Sequence, residues 1–436
     1  MDYDVVIVGG SLAGCAAATL YGRAGLRVAV VEKQPDPRAY KTMCNHFIVA
    51  SAVPTLERLG LTDKIEDAGG VPNSIEVWSR YGWIHASLPA DYPHPATGYN
   101  ITRERLDPMV RELAARTDGV DLLLGHAATG LDWDGGRVSG VQVRDRHGTE
   151  RTISARVVVA ADGRYSKLAG MAGIKTRTRP HERFYYWAYF RGVELDTAAS
   201  SQMWFLNPDM AYTFGNEDGL TVLTVLPAKL RLPEFRADLE GAFMRSFEGL
   251  PRGPRLDRAE RVSKIMGKLD LTNVRRRPAA KGMALIGDAA LASDPLWGIG
   301  CGWAFQSAEW LVDATAEALR RGTDPAPGLR RYRRTHRRRL AGHDFLICDY
   351  SRLRDFNPVE RLVFAAAVHD PGTALHFHAF GTRSIGASRF LAPAPLARAA
   401  YALATRRTVA TTRPAGRPRG ARARRPPAAG GAARRG

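Results

Sequence analysis

The spacing of apolar and polar residues divides the chain into three textures. At the start, Asp4 to Val8 (DVVIV) is a short apolar strand and Gly9 to Gly14 (GGSLAG) a turn. Cys15 to Ala24 follows as an alanine-rich helix stopped by Gly25, and Leu26 to Val31 (LRVAVV) is a second apolar strand ending in Glu32. Two wholly apolar strands joined by one helix predict a βαβ unit, whose parallel strands are covered on both faces. Pro54 to Leu61 predicts a helix ended by Gly60, and Ile101 to Arg116 a helix headed by Arg103. Val120 to Leu124, Arg137 to Arg144 and Thr152 to Ile153 read as short strands divided by Asp-Gly and His-Gly turns. A further apolar strand, Val157 to Ala161, runs into Asp162-Gly163, with Ser166 shortly after.

From Phe184 to Leu226 the pattern becomes aromatic and alternating (FYYWAYFRGVEL, SSQMWFL, MAYTFG, LTVLTVL), which predicts antiparallel sheet. Alternation sends successive side chains to opposite faces. Half of Phe184, Tyr186, Trp187, Tyr189, Trp204, Phe205, Tyr212 and Phe214 are therefore expected to face a wide apolar pocket and half to be core. Beyond an apolar run at Gly282 to Ile286 comes GDAALASDPLWGIGCGW, Gly287 to Trp303, where Pro295, Trp297, Gly298 and Gly300 crowd one turn. Helical patterns then cover Trp303 to Arg321 and Gly328 to Tyr350.

Charge changes this picture little. The net charge of +19 is concentrated in Arg320 to Arg339 and in Arg406 to Gly436, where ten arginines meet no acid. The first reads as a solvated helix face. The second is Pro, Gly, Ala and Arg with almost no aliphatic bulk, too poor in apolar surface to offset ordering entropy. Such an arm suits weak contact with an anionic membrane surface. Nucleic acid is not an expected partner, because no aromatic stacking platform interleaves the arginines. Cys15, Cys44, Cys301 and Cys348 follow neither metal-ligand nor disulfide spacing, and His376-Phe377-His378 lacks a completing ligand, so no metal is expected. With no leader and no apolar run of membrane length, a cytoplasmic protein is expected. The sequence carries no sign of oligomeric state.

The chemistry enters at the first turn. Gly9 permits the strand-to-helix reversal, Gly14 lets the helix approach the sheet, and the helix N-terminus offers free N–H groups to a pyrophosphate. Ser11 replaces the usual middle glycine. Glu32 is placed to accept hydrogen bonds from both hydroxyls of an adenosine ribose and would repel a 2′-phosphate, which excludes NADP from this unit.

GGSLAG with Glu32, ADGRYS at Ala161 to Ser166 and GDAALASDP at Gly287 to Pro295 stand in the order of three motifs that together resemble the FAD-dependent monooxygenases of the p-hydroxybenzoate hydroxylase type. Their superfamily includes geranylgeranyl reductases and flavin-dependent halogenases. The resemblance spans roughly residues 1 to 345 and implies an α/β fold. In that fold a Rossmann-type FAD-binding domain (1–180, with part of the substrate domain inserted around 65–100) is interleaved with an antiparallel β substrate domain (181–275). The chain returns to the FAD-binding domain at 276–345, and a helical C-terminal region (346–405) and a disordered tail (406–436) follow. Matched residue by residue, Gly9, Ser11 and Gly14 would hold the pyrophosphate, Glu32 and Lys33 the adenosine side, and Arg103 would lie near the pyrophosphate. Asp162 would serve FAD and NAD(P)H, Asp288 the ribityl chain, and Pro295, Gly298 and Gly300 the pyrimidine edge of the flavin. Ala169 stands where the hydroxylases usually place an arginine.

The resemblance implies FAD as cofactor and NAD(P)H as electron donor. The expected activity is hydroxylation or epoxidation of a hydrophobic, secondary-metabolite-like substrate with O₂ through a C4a-hydroperoxyflavin, with Cys44, Trp187, Tyr212 and Trp297 as pocket candidates. The alternative is alkene reduction, because Lys41-Thr42-Met43-Cys44 resembles the lysine-and-cysteine stretch of geranylgeranyl reductases, although Asn45 and His46 replace the glycines that normally follow. Halogenation is less favoured for want of a W-x-W-x-I-P motif. A non-catalytic flavoprotein is the remaining reading.

Overall fold

The computed structural model describes residues 1–411, with side chains through 405. The opening residues form the βαβ unit: strand Tyr3–Val8, helix Leu12–Arg23 and strand Val28–Glu32. Tyr3–Val8 lies between Val28–Glu32 and strand Glu150–Ala160, parallel to both. Val120–Leu124 and Met283–Leu285 extend this parallel core outward. Its central strands, Tyr3–Val8, Val28–Glu32, the second half of Glu150–Ala160 and Met283–Leu285, are mostly buried because helices cover them on one face and a β-layer on the other.

Two details depart from the local pattern. The segments Thr152 to Ile153 and Val157 to Ala161 are one strand, Glu150–Ala160, whose first half pairs antiparallel with Arg137–Arg144 while its second half joins the parallel core. Ala127–Asp134 (AATGLDWD) is also a strand, paired with Arg137–Arg144. Its side chains show no apolar alternation. Its conformation comes from ladder bonds to its neighbour, a tertiary override of weak β propensity.

The aromatic strands form a second sheet of eight. Tyr185–Arg191, Thr221–Leu226, Met210–Gly215 and Ser201–Phe205 are successive antiparallel neighbours. Strand Ile75–Ser79, from far earlier in the chain, adds parallel to Ser201–Phe205, and Gly82–Ile84 closes that edge. The two faces are divided by side-chain parity. Phe184, Ala188, Phe190, Trp204, Leu223 and Val225 pack on Phe235, Phe243 and Phe247 of the helical segment behind the sheet. Tyr185, Trp187, Met203, Phe205, Tyr212 and Phe214 face the other way and merge with the core beneath helix Leu12–Arg23. Phe184, Tyr186 and Trp204 are thereby assigned to the far face.

Helix Gly300–Arg320 crosses against Leu12–Arg23, and Ala326–Tyr350 packs on Gly300–Arg320. Helices Pro358–Ala367, Pro371–Gly381 and Pro393–Thr411 complete the chain. The backbone of the last continues into the segment predicted as tail, and residues 412–436 of that tail lie outside the described residues. Among the described residues no helix is long and apolar enough to cross a membrane.

Candidate functional site

The first turn is built by backbone crowding. Gly9 has φ 113°, and a Cβ there would lie 2.3 Å from the carbonyl oxygen of Ala161; a Cβ on Gly14 would lie 1.8 Å from the carbonyl oxygen of Gly9. Only glycine lets the helix start this close to two strand ends. Ser11, at the N-cap of helix Leu12–Arg23, makes no side-chain capping bond. Its hydroxyl instead accepts from Arg103 Nη2 at 2.8 Å, which leaves the first-turn amides free for an anion. Glu32 stands beside the turn, its Oε2 accepting from the Gly10 N–H at 2.6 Å and its Oε1 from the Gln34 N–H at 2.9 Å. Lys33 is exposed next to it.

Arg103 is 3% exposed. Its Nε and Nη2 donate to Asp107 Oδ1, one helical turn on, at 2.9 and 2.6 Å, while Asp107 Oδ2 accepts from the Lys41 N–H at 2.8 Å. Burial alone would lower the Arg103 pKa, but the Asp107 carboxylate raises it above the ordinary value. The Arg103 N–H donates to His46 Nδ1 at 2.9 Å. That nitrogen therefore carries a lone pair, and His46 Nε2–H donates to the Tyr189 hydroxyl at 2.6 Å.

Two carboxylates stand at the strand ends facing this turn. Asp162 Oδ2 accepts from the Leu168 N–H at 3.1 Å, whereas its Oδ1 is buried without a partner. Asp288 is ion-paired to Lys41 Nζ at 3.0 Å. Burial pushes its carboxyl upward, and the charges of Lys41 and Arg164 overcome that and hold it below the usual carboxylate range.

The glycine-rich turn is held from below. Asp294, fully buried, caps the Pro295–Trp297 turn by accepting from the Leu296 N–H at 3.0 Å and pairs with His181 Nε2 at 2.8 Å. Burial raises and His181 lowers its pKa, with a net downward shift. Tyr212 donates to the Leu296 carbonyl at 2.7 Å. Gly298 has φ 63°, and a Cβ there would lie 2.5 Å from the Phe47 ring. Its left-handed backbone and the Phe47 ring require glycine here, a second reason for glycine beside the expected approach of its amide to a flavin edge. Gly300 differs. It is exposed at the start of helix Gly300–Arg320, and a Cβ there would meet nothing within 4 Å.

Cys44 Sγ lies 3.7 Å from Cys301 Sγ, with Arg103 Nη1 4.0 Å from Cys301 Sγ. The Cys301 hydrogen bond holds the Cys44 thiol well below its ordinary pKa against the effect of burial, and the same bond pushes Cys301 up. The two thiols therefore titrate as a pair, in which Cys44 loses its proton more readily than Cys301.

Beside this turn is a narrow apolar cleft with about 40 Å³ of room, partly open to solvent. Trp297 and Phe47 form one end, Ile75, Val77 and Met203 of the second sheet one wall, and Phe377, His378 and Thr382 the opposite wall. Of the four pocket candidates only Trp297 lines it. Trp187 stacks on Tyr185 with ring centroids 4.7 Å apart, Tyr212 is spent holding Leu296, and Cys44 faces Cys301. Cys44, Trp187 and Tyr212 thus lie outside this cleft; for the two strand residues the reason is that parity selects a sheet face, while cleft access depends on what covers that face. The covering element is helix Pro371–Gly381. Sequence reasoning weighed its His376-Phe377-His378 only as metal ligands. Asp107 was missed too, although its spacing of four from Arg103 on one helix was a usable signal; Cys301 and Asp294 gave none.

The arrangement fits the flavin dinucleotide that the resemblance implies. Asp162 Oδ1 is a buried acceptor without a donor, and two helix N-termini, at Ser11 and Gly300, are uncapped by side chains. These groups suit, respectively, a hydroxyl, a pyrophosphate and an electron-rich ring edge.

Comparison with known proteins agrees. A family model described as FAD binding domain matches residues 2–236. A digeranylgeranylglycerophospholipid reductase of Picrophilus torridus is 25% identical over 332 residues, 73% of this chain and 79% of its own length. Digeranylgeranylglycerophospholipid reductase 2 of Methanothermobacter thermautotrophicus is 28% identical over 354 residues, 78% of this chain and 84% of its own. Among solved structures, the flavin-dependent brominase Bmp2 matches with a TM-score of 0.73 at 19% identity, over 94% of this chain and 99% of that one; at that identity the likeness is one of fold.

Proposed function

Because the chain belongs to the FAD binding domain family and is an FAD-dependent oxidoreductase, we propose that it reduces carbon–carbon double bonds in a hydrophobic, isoprenoid-type substrate. One observation carries this reading. The Lys41-to-Cys44 stretch, which resembles that of the geranylgeranyl reductases, lies across the cofactor bed, with Lys41 on Asp288 and Cys44 against Cys301 at the head of the flavin-side helix. The reductases similar over three-quarters of the chain support it.

Reduction of an alkene delivers a hydride to one carbon and a proton to the other. Bound FAD, once reduced by NAD(P)H, supplies the hydride. The chain does the rest. Gly9, Ser11 and Gly14 would seat the pyrophosphate, Glu32 and Lys33 would flank the adenosine ribose, Asp162 and Asp288 would accept from the cofactor's hydroxyls, and the helix beginning at Gly300 would place its positive end at the pyrimidine edge. Pro295 and Trp297 shape the turn that the substrate meets, and Phe47, Val77 and Met203 keep water from the alkene. The hydrogen-bonded thiols of Cys44 and Cys301 are the titratable pair beside the turn, and one of them would have to supply the proton. Oxygen insertion into the same substrate is the second reading, favoured by the order of the three motifs; it would use the same cleft and leave the thiol pair without a role.

The test is anaerobic. Dithionite-reduced, FAD-loaded protein is mixed with geraniol or geranic acid, and the product is examined by mass spectrometry. A gain of two hydrogens per double bond is expected; a product bearing an added oxygen, formed only with O₂ and NAD(P)H, would replace reduction by oxygenation.

A further inference from the structure

Helix Pro371–Gly381 ends in a left-handed residue. That position usually favours glycine, since a side chain there is strained, yet it is Arg383, with φ 64°. Its side chain turns inward and leaves the residue 9% exposed. Nη1 donates to His343 Nδ1 at 3.0 Å and approaches the Phe380 carbonyl at 3.4 Å. Nε and Nη2 are buried and have no partner at all. Those two nitrogens share one edge of the guanidinium, the edge that offers two parallel N–H donors to a carboxylate or phosphate.

No acid balances this cation. Other arginines of the region are matched: Arg80 pairs with Asp355, Arg354 with Glu360 and Arg398 with Asp370. Arg383 forms no ion pair among the described residues, and desolvation alone pushes its pKa down to about 9, so it stays charged at neutral pH. His343 cannot serve as counter-charge. Burial pushes its pKa down to about 3, and it accepts from the guanidinium, so it is neutral. An unpaired buried charge is costly, and among the described residues only the two hydrogen bonds of Nη1 and the neighbouring aromatic rings offset it.

The location gives the cost a meaning. The guanidinium carbon lies 5.2 Å from the centroid of the Trp297 ring and 5.2 Å from that of Phe380. Trp297 forms one end of the apolar cleft, and Thr382, the neighbour of Arg383, forms part of its wall. A cation short of two hydrogen bonds thus adjoins an apolar slot beside the proposed site of reduction.

We propose that Arg383 is the receptor for an oxyanion head group, a carboxylate or a phosphate, on a ligand whose apolar chain lies in the Trp297 cleft. The ligand takes the fork of Nε and Nη2 side-on, neutralises the guanidinium, and is thereby fixed in register along the cleft. This rests on the reading of the cleft as substrate site and narrows the substrate from hydrophobic to amphipathic and anionic.

The experiment compares three ligands sharing one ten-carbon chain, geraniol, geranic acid and geranyl monophosphate. Their binding to the FAD-loaded full chain is followed by calorimetry without turnover. The two anions are expected to bind at least tenfold more tightly than geraniol, and the stronger of them identifies the head group. Arg383→Met should abolish that preference, and should raise the ligand-free thermal midpoint by removing the unbalanced charge. Arg383→Lys, which keeps the charge and loses the fork, should retain part of the preference, and it decides the matter if the methionine variant does not fold. Equal affinity for the three ligands, an anion preference that survives Arg383→Met, or a lowered midpoint in that variant would overturn the proposal. Arg383-dependent anion binding without any alkene reduction would refute the reductase reading and leave the anion site standing. Equal reduction of geraniol and geranic acid would do the reverse.

Discussion

Acid should unfold this protein through two histidines of one helix. His336 and His343 lie one above the other on Ala326–Tyr350, and burial lowers the pKa of each from 6.5 to about 3. His336 stands edge-on to Trp310 and Tyr332, with Arg275 the charge that adds to its depression; His343 stacks on Phe380 and faces Arg383. A folded-state pKa below the unfolded one means that the unfolded chain binds protons first. The stability contributed by the neutral rings is therefore complete above pH 6.5 and is lost as pH falls toward 3. Each pH unit within that window costs about 1.4 kcal/mol per site, so at pH 4.5 each histidine should have removed about 3 kcal/mol, a large part of an ordinary domain's stability. Urea unfolding of the full chain, followed by circular dichroism at pH 7, 5.5 and 4.5, measures this. His336→Gln and His343→Gln start from lower stability at pH 7, but each should lose about 3 kcal/mol less than the unsubstituted chain on going to pH 4.5. Because the carboxylates are common to all three proteins, the comparison isolates the imidazoles. Variants whose acid loss parallels the unsubstituted chain would refute the reasoning.

Three further outcomes follow from the site. Cys44, whose thiol is lowered by its hydrogen bond to Cys301, should be alkylated by iodoacetamide in the FAD-free chain with a midpoint below that of an ordinary thiol, and Cys301→Ala should move that midpoint up; peptide mapping across pH reads both, and an unmoved midpoint would dissociate the pair. Asp288→Ala removes the partner of Lys41 and the acid expected to hold the ribityl chain, so the purified protein should lose most of its flavin, measured as the ratio of flavin to protein absorbance; full occupancy would remove Asp288 from the site. Tyr212→Phe leaves the buried Leu296 carbonyl without its donor, which should cost about 1–3 kcal/mol and loosen the turn under Trp297, seen as a lower thermal midpoint together with weaker FAD retention.

What could be read from the sequence was local. The strand–turn–helix at Gly9 to Gly14, the acid at Glu32, the strand running into Asp162 and the glycine-rich turn before helix Gly300–Arg320 are set by residues within a few positions of one another. There, propensity, periodicity and backbone sterics act without reference to the remainder of the chain. The aromatic sheet was legible for the same reason, since alternation is a property of consecutive residues. Ala127–Asp134 was not, because its strand exists only through its partner.

The sequence by itself therefore determined the fold class and the local turns that carry the proposed dinucleotide-binding residues. Tertiary structure alone decided what surrounds them. Cys44 meets Cys301, Lys41 meets Asp288 and Tyr212 meets Leu296 across long stretches of chain, through sheet register and helix crossing, which no short-range period encodes. It also decided that helix Pro371–Gly381 walls the cleft and that Trp187, on the correct face of the sheet, lies outside it. A charge is costly or harmless according to what is packed around it, so Arg383, one arginine among many in the sequence, is singled out only once the fold has buried it.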